Sequence, residues 1–173
     1  MRLRCTSTGI SAPARYGASL RQASVTAGAA WLSFVTTQWF GLHEGYWAAI
    51  SAVVVLQTDL PTTRQSGRDR LIGTAIGGVI GWGCSACWNG NLWVYAVAVG
   101  VAVFACWIAR LEVAGRLSAV TVTVIVLIPR DEAMWKIALF RFLEVAWGIA
   151  VAVALASAVS WLLERPAAGP GDR

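Results

Sequence analysis

The stretch that decides the fold is YWAAISAVVVLQTDLPTTRQSGRDRLIGTAIGGVIG, residues 46–81. An apolar run ends in a polar segment that carries acidic and basic side chains, residues 56–70, and a second apolar run follows. This order predicts two membrane-crossing helices joined by a basic elbow. The second run has glycines four residues apart, at Gly73, Gly77 and Gly81, which predicts close contact with a neighbouring helix.

The composition of the whole chain is typical of a membrane protein. Of its 173 residues, 57% are hydrophobic and 13% are charged, and the mean hydropathy is +0.62. Soluble domains carry about 25% charged residues. A helical span needs about 20 residues, so six spans use roughly 120. We therefore predict an all-α membrane protein with six transmembrane helices, in a lipid bilayer.

One membrane domain is predicted over residues 20–163, between a basic cytoplasmic tail at 1–19 and a cytoplasmic tail at 164–173. The second and fifth spans are shorter than the usual range of about 17–25 residues. The predicted spans cover 20–42, 46–58, 71–88, 92–109, 117–128 and 137–163.

The distribution of basic residues predicts the orientation. With a cytoplasmic N-terminus, eleven basic residues fall on the inner side and three, Arg130, Lys136 and Arg141, on the outer side. Positive charge collects in cytoplasmic loops. We therefore expect both termini in the cytoplasm and, in a bacterial cell, a location in the inner membrane.

An internal repeat is indicated by a shift of 71 residues, which aligns the second and third spans with the fifth and sixth. The shift matches Arg70 with Arg141 and Gly77 with Gly148. With three spans in each half, the halves must be inverted, which predicts Arg70 at the cytoplasmic face and Arg141 at the outer one. Inverted repeats with short helices at matching positions are typical of secondary transporters.

The residues quoted above also carry a family resemblance. An aromatic-Trp-Ala start at Tyr46, an apolar span, and then Arg70 followed by Gly73, Thr74 and further glycines resemble the fusaric acid resistance protein family. That family is also described as aromatic acid exporters, or the integral membrane bound transporter domain. The later RFLEVAWG, residues 141–148, is similar to a second signature of the family. The resemblance covers about residues 20–163.

The resemblance implies a six-span domain that exports organic, often aromatic, acids. Many members of the family carry two such membrane domains, or one with a sizeable soluble domain, whereas this chain holds one bundle. We therefore expect a homo-oligomer or another membrane subunit as partner. Two functions are open: a transporter of small organic anions that exports aromatic carboxylic acids, or a non-transporting subunit that assembles with another transport component.

Several polar and charged residues are candidates for the transport path, and each has a structural alternative. Arg141 and Glu144 share a helix face and suit either an anion site with proton coupling or a structural ion pair. The basic residues of the elbow suit a cytoplasmic mouth or serve orientation alone. The predicted path comprises Gln57, Thr58, Thr121, Thr123, Arg141, Glu144 and Trp147. The predicted mouth comprises Arg64, Arg68 and Arg70, and the predicted helix-packing residues are Gly73, Gly77, Gly81 and Gly148.

Enzymatic readings have little support in the sequence. Cys84 and Cys87 form a C-x-x-C inside an apolar run, without a second pair, which favours packing over redox chemistry or metal binding. His43 is the one histidine and falls in a predicted turn. We predict no catalytic residues, no metal, no cofactor and no nucleic-acid partner. Trp31, Trp82 and Trp147 fall at mid-membrane and are expected to pack in the bundle or to stack on a substrate.

Overall fold

The computed structural model describes residues 12–41, 44–85, 91–128 and 134–164. Within these ranges the regular structure is entirely helical, without a strand, as the apolar runs predict. The six helices are α1 (Ala12–Trp39), α2 (Tyr46–Val55), α3 (Leu60–Ser85), α4 (Leu92–Ile108), α5 (Glu112–Leu127) and α6 (Met134–Glu164).

The predicted basic elbow is wrong over most of its length, because α3 begins at Leu60 and includes the charged residues up to Arg70. Asp59 caps the helix, and its Oδ2 accepts a hydrogen bond of 2.9 Å from the Thr62 amide. Pro61 lies in the first turn, where its missing N–H costs nothing. Charged side chains on an exposed face do not end a helix, so only residues 56–59 form the connection.

Two further helices begin earlier than predicted. α1 begins at Ala12 rather than at residue 20, and α5 begins at Glu112 rather than at residue 117. The chain turns between α4 and α5 at Arg110, whose φ of 57° lies in the left-handed region. The connections between α3 and α4 (residues 86–90) and between α5 and α6 (residues 129–133), with Arg130 of the predicted outer side, lie outside the described residues.

The helices pack around a central pair. α3 and α6 contact each other, α5 packs on α3, and α2 packs on α6. α1 contacts α2 and α6, and α4 contacts α5 and α3. The short helices α2 and α5 therefore lie on opposite members of the central pair.

The predicted packing glycines lie at close contacts between helices. A Cβ added at Gly73 would come within 2.6 Å of the Ala114 carbonyl oxygen, and one at Gly77 would overlap the Ser118 carbonyl oxygen. At Gly148 it would overlap the carbonyl oxygen of Ala48, on α2. A Cβ added at Gly81 would lie 3.2 Å from the Cβ of Ile125. Backbone atoms cannot rotate away, so the contacts at Gly73, Gly77 and Gly148 admit only glycine without a shift of the helices.

The outer surface of the bundle is rich in large apolar side chains. Trp31 is 66% exposed and Trp82 is 52% exposed. Neither tryptophan packs inside the bundle, contrary to our expectation, because each lies on the helix face opposite its partners. Exposed aromatic and branched side chains in this number suit contact with lipid better than contact with water.

One described segment, Trp135–Leu162, is by itself long and apolar enough to cross a membrane. The segments Tyr46–Val55 and Leu92–Ile108 are apolar but shorter. α3 is long enough to cross a membrane but is not apolar enough, because its first three turns carry the polar residues that were expected in a loop. The six-span arrangement thus stays a prediction.

Candidate anion site

A small cavity lies where α2, α3, α5 and α6 meet. Its volume is about 20 Å³. A polar cavity of about 10–15 Å³ already holds one water molecule, so this one admits a water or one small polar group. Its walls are formed by Trp47, Arg70, Thr74, Leu117, Val120, Thr121, Val124, Arg141 and Val145.

Two arginines reach this cavity from antiparallel helices. Gly67 meets Ile149 and Gly78 meets Ala138, which places residue 70 of α3 opposite residue 146 of α6. At about 1.5 Å of rise per residue, Arg70 and Arg141 differ in level by roughly 7 Å. The structure therefore brings together two cations that we expected at opposite faces of the membrane. Arg64 and Arg68 are exposed on α3 and do not line the cavity.

Arg70 is buried and has a neutral partner. Its Nε donates a hydrogen bond of 3.1 Å to the Ser51 hydroxyl on α2. That hydroxyl donates in turn to the Trp47 carbonyl oxygen at 2.7 Å. Within the described ranges, no carboxylate lies at ion-pair distance from the Arg70 guanidinium.

Arg141 has two carboxylate partners. Its Nη1 lies 3.3 Å from the Glu144 carboxylate, three residues along α6, and its Nη2 pairs with the Glu44 carboxylate from the turn before α2. The guanidinium also stacks over the Trp47 ring, 4.3 Å from its centroid. A cation over an aromatic face is attracted by the ring quadrupole.

Two buried donors around the cavity have neither a hydrogen-bond partner nor an ion-pair partner among the described residues. They are Nε of Arg141 and Nε1 of Trp47, and both residues line the cavity. A buried donor without a partner costs about 1–3 kcal/mol. These two donors, one of which belongs to the Arg141 guanidinium, lie beside the Arg70 guanidinium and indicate a site for a hydrogen-bond acceptor that carries negative charge.

Of the other predicted path residues, Thr121 lines the cavity and its hydroxyl donates to the Leu117 carbonyl oxygen at 3.1 Å. The Thr123 hydroxyl lies 3.0 Å from the Tyr95 hydroxyl, at the α4 contact. Trp147 donates to Thr36 at 2.7 Å and lies outside the cavity lining. Gln57 and Thr58 are exposed at the end of α2 and take no part in the cavity.

The aliphatic residues of the cavity wall were not predicted, and neither were four polar, charged or aromatic residues of the site: Glu44, Trp47, Ser51 and Thr74. Trp47 and Thr74 belong to the stretches that carry the family resemblance, and their place in those stretches was a usable signal. Ser51 lies among apolar residues of a short helix, where a hydroxyl is a weak signal. Nothing in the sequence pairs Glu44 with a residue far along the chain.

The two described cysteines, Cys84 and Cys106, lie away from the cavity. Cys84 is half-buried and packs beside the cluster that Ala98, Ala102, Val122 and Val126 form between α4 and α5. The Cys106 thiol lies 3.6 Å from the Ser118 hydroxyl. Cys87 and His43 lie outside the described residues, so no pairing of Cys84 with Cys87 is described.

A comparison with protein families agrees with the resemblance carried by residues 46–81. A family profile described as fusaric acid resistance protein-like matches residues 29–155, which are 127 of the 173 residues. Neither a curated protein nor a solved structure matches the chain significantly. The matched region includes the last part of α1, all of α2 to α5, most of α6, and every residue that lines the cavity. The chain belongs to the fusaric acid resistance protein-like family, whose members are membrane transporter-like proteins.

Proposed function

We propose that the chain is an inner-membrane transporter of small organic anions, which exports aromatic carboxylic acids. Family membership supports the transporter class. The observation that carries the choice of an anion is the cavity with Arg70, Arg141 and two buried donors that lack partners. The positive-inside count supports an orientation with both termini in the cytoplasm.

The chemistry of the cavity fits a carboxylate. The planar guanidinium group offers five N–H donors in a geometry that matches two carboxylate oxygens. An acceptor in the cavity would satisfy Arg141 Nε and the Trp47 indole, which are otherwise buried without partners. At about 20 Å³ the cavity takes only the charged head of an aromatic acid. Leu117, Val120 and Val124 of α5 offer an apolar wall for the ring.

The two halves of the bundle are related as inverted repeats in this proposal. Each helix contact in one half has a counterpart in the other when α1, α2 and α3 are exchanged with α4, α5 and α6. Gly77 meets Ser118 and Thr121 of α5, and Gly148 meets Ala48 and Ser51 of α2. These contacts relate α3 to α6 by 71 residues, as the sequence indicated, but relate α2 to α5 by 70.

The inverted halves give a physical route for alternating access. The cavity includes Thr121 and Val124 of α5, whereas Ser51 and Val54, their counterparts on α2, do not line it. The transporter then has two conformations. In the second one the cavity is lined by α2 instead of α5, and both arginines keep their contact with the anion. Transporters with inverted repeats work by such an exchange of two similar conformations around a fixed site.

Flux through the purified chain tests this function. Proteoliposomes that contain the chain alone are loaded with radiolabelled benzoate, and its efflux is compared with that of empty vesicles. Val120→Trp plugs the cavity from a half-exposed position, and Val97→Trp adds the same bulk at an exposed position of α4, a helix that does not line the cavity. We expect flux in the wild type and in Val97→Trp, and loss of flux in Val120→Trp. A folded wild type without flux would favour the non-transporting subunit.

A further inference from the structure

The contact between Glu44 and Arg141 joins the turn before α2 to the middle of the bundle. Glu44 directly precedes Gly45 and the aromatic pair Tyr46 and Trp47, and both rings flank the Arg141 guanidinium. One short stretch therefore brings a carboxylate and two aromatic faces to the same cation. The carboxylate comes from a turn, whereas the cation is fixed on α6.

The two carboxylates beside Arg141 differ in burial. The Glu144 side chain is 3% exposed and lies on the same helix as Arg141, whose side chain is 4% exposed. The Glu44 side chain is 30% exposed. Moving the Glu144 carboxylate away from its cation would leave a charge buried in the bundle, which is costly. Moving the Glu44 carboxylate away from Arg141 costs much less free energy, because this carboxylate has access to solvent.

In the part of the chain that the structure describes, the charges of the two arginines and their carboxylate partners cancel while Glu44 is in place. Arg70 and Arg141 contribute two positive charges, and Glu44 and Glu144 contribute two negative ones. A monoanion added to this set leaves one negative charge in excess, which is unfavourable in a buried site. If the anion replaces Glu44 at Arg141, the balance is kept.

We infer that Glu44 is an internal competitor for the transported anion and that its carboxylate marks where the carboxylate of the substrate binds on Arg141. The inference rests on the anion site of the proposed function. The substrate class follows from this contact, because an acid that takes the place of Glu44 at Arg141 must carry a carboxylate. Because a substrate must displace Glu44 from Arg141, the strength of the Glu44–Arg141 pair sets the lowest affinity at which a substrate binds.

Equilibrium dialysis of radiolabelled benzoate against the purified chain in detergent tests this inference. Glu44→Gln removes the competing charge, and Glu112→Gln removes the same charge from an exposed position at the start of α5. If Glu44 occupies Arg141 in about nine molecules of ten, its removal lowers the apparent Kd for benzoate about tenfold. Glu112→Gln should leave the Kd near that of the wild type.

A second variant and a second anion complete the test. Glu44→Asp keeps the charge on a shorter side chain, so it should lower the Kd by less than Glu44→Gln does. Chloride should compete with benzoate much more weakly than acetate. The inference is overturned if Glu44→Gln binds benzoate no better than Glu112→Gln, if neither binds it, or if chloride competes as well as acetate. Tighter binding in Glu44→Gln without flux in proteoliposomes would instead refute transport and leave the inference standing.

Discussion

The half of the bundle that contains Arg70 and the half that contains Arg141 use one architecture for different electrostatics. Both arginines are buried beside the same cavity on the two central helices. Arg70 donates to a serine hydroxyl, whereas Arg141 pairs with two carboxylates and stacks on Trp47. One half presents a cation with a weak partner, and the other presents a cation that is already neutralised.

Under the proposed repeat, one pair of matching positions contributes to the difference between the halves. At the 71-residue shift, Gly73 of α3 corresponds to Glu144 of α6. Gly73 has no side chain, so α5 approaches α3 until a Cβ there would meet the Ala114 carbonyl oxygen. Glu144 instead supplies the buried carboxylate for Arg141. The glycine lets two helices approach closely in one half, and the carboxylate compensates the cation in the other.

The largest expected effect on stability comes from removing Arg141, the arginine that is paired with carboxylates. Arg141→Gln leaves the buried Glu144 carboxylate without its cation, which should lower the free energy of unfolding by about 3–5 kcal/mol. Unfolding is followed by denaturation of the detergent-solubilised chain with SDS. Adding Glu144→Gln to the same chain should recover most of the loss. An Arg141→Gln variant as stable as the wild type would contradict the account of the pair.

The tight glycine contacts should give the next largest effect, in both halves alike. Gly77→Ala and Gly148→Ala each place a methyl group against a carbonyl oxygen, and overpacking of this kind costs about 1–3 kcal/mol. Gly83 and Gly100 face open space, so Gly83→Ala and Gly100→Ala serve as controls. The controls should be neutral or slightly stabilising, since alanine favours a helix. Equal effects at all four positions would show that the close contacts are not formed.

Removal of the hydroxyl groups of Ser51 and Thr121 should have smaller and unequal effects on stability. Ser51→Ala removes the hydroxyl that accepts from Arg70, and should cost about 1–2 kcal/mol because a buried charged donor loses its partner. The Thr121 hydroxyl donates only within its own helix, so Thr121→Val should change stability much less. The same SDS titration measures both. A greater loss in Thr121→Val than in Ser51→Ala would reverse the assignment of partners.

The smallest effect concerns the cap of α3 and depends on pH. Hydrogen bonds from Thr62 lower the pKa of the exposed Asp59 carboxyl below its ordinary value of 3.8. A lowered pKa in the folded state stabilises the fold above the unfolded pKa, and this contribution is lost as the pH falls through the folded value. The difference in thermal midpoint between the wild type and Asp59→Ala should therefore be larger at pH 6 than at pH 3. An identical difference at both values would contradict the cap.

The sequence predicted the parts of the fold that depend on local pattern. The apolar runs gave the helices, and the spacing of Gly73, Gly77 and Gly81 predicted a face that the structure places against α5. The start of α3 was missed because polarity was taken as a sign of a loop. A capped helix with an exposed polar face has the same composition as a polar connection.

The site was predicted as a set of residue types rather than as an arrangement. Arg70 and Arg141 were singled out, but the membrane topology assigned them to opposite faces. Their shared cavity depends on the level at which α3 and α6 cross, which the contacts of Gly67 and Gly78 determine. No local pattern encodes that level. Likewise, the pairing of Glu44 with Arg141 joins positions that only the folded bundle brings together.

The most direct test of the central claim is benzoate binding to variants of two arginines on one helix. Arg70 is buried in the cavity wall, and Arg68 is exposed two residues before it on α3. Equilibrium dialysis of the purified chain should give one saturable site. Because a charged hydrogen bond is worth about 1.5–3 kcal/mol, Arg70→Gln should weaken binding at least about tenfold while Arg68→Gln leaves it unchanged. Equal weakening in both variants, or none in either, would contradict an anion site between α3 and α6.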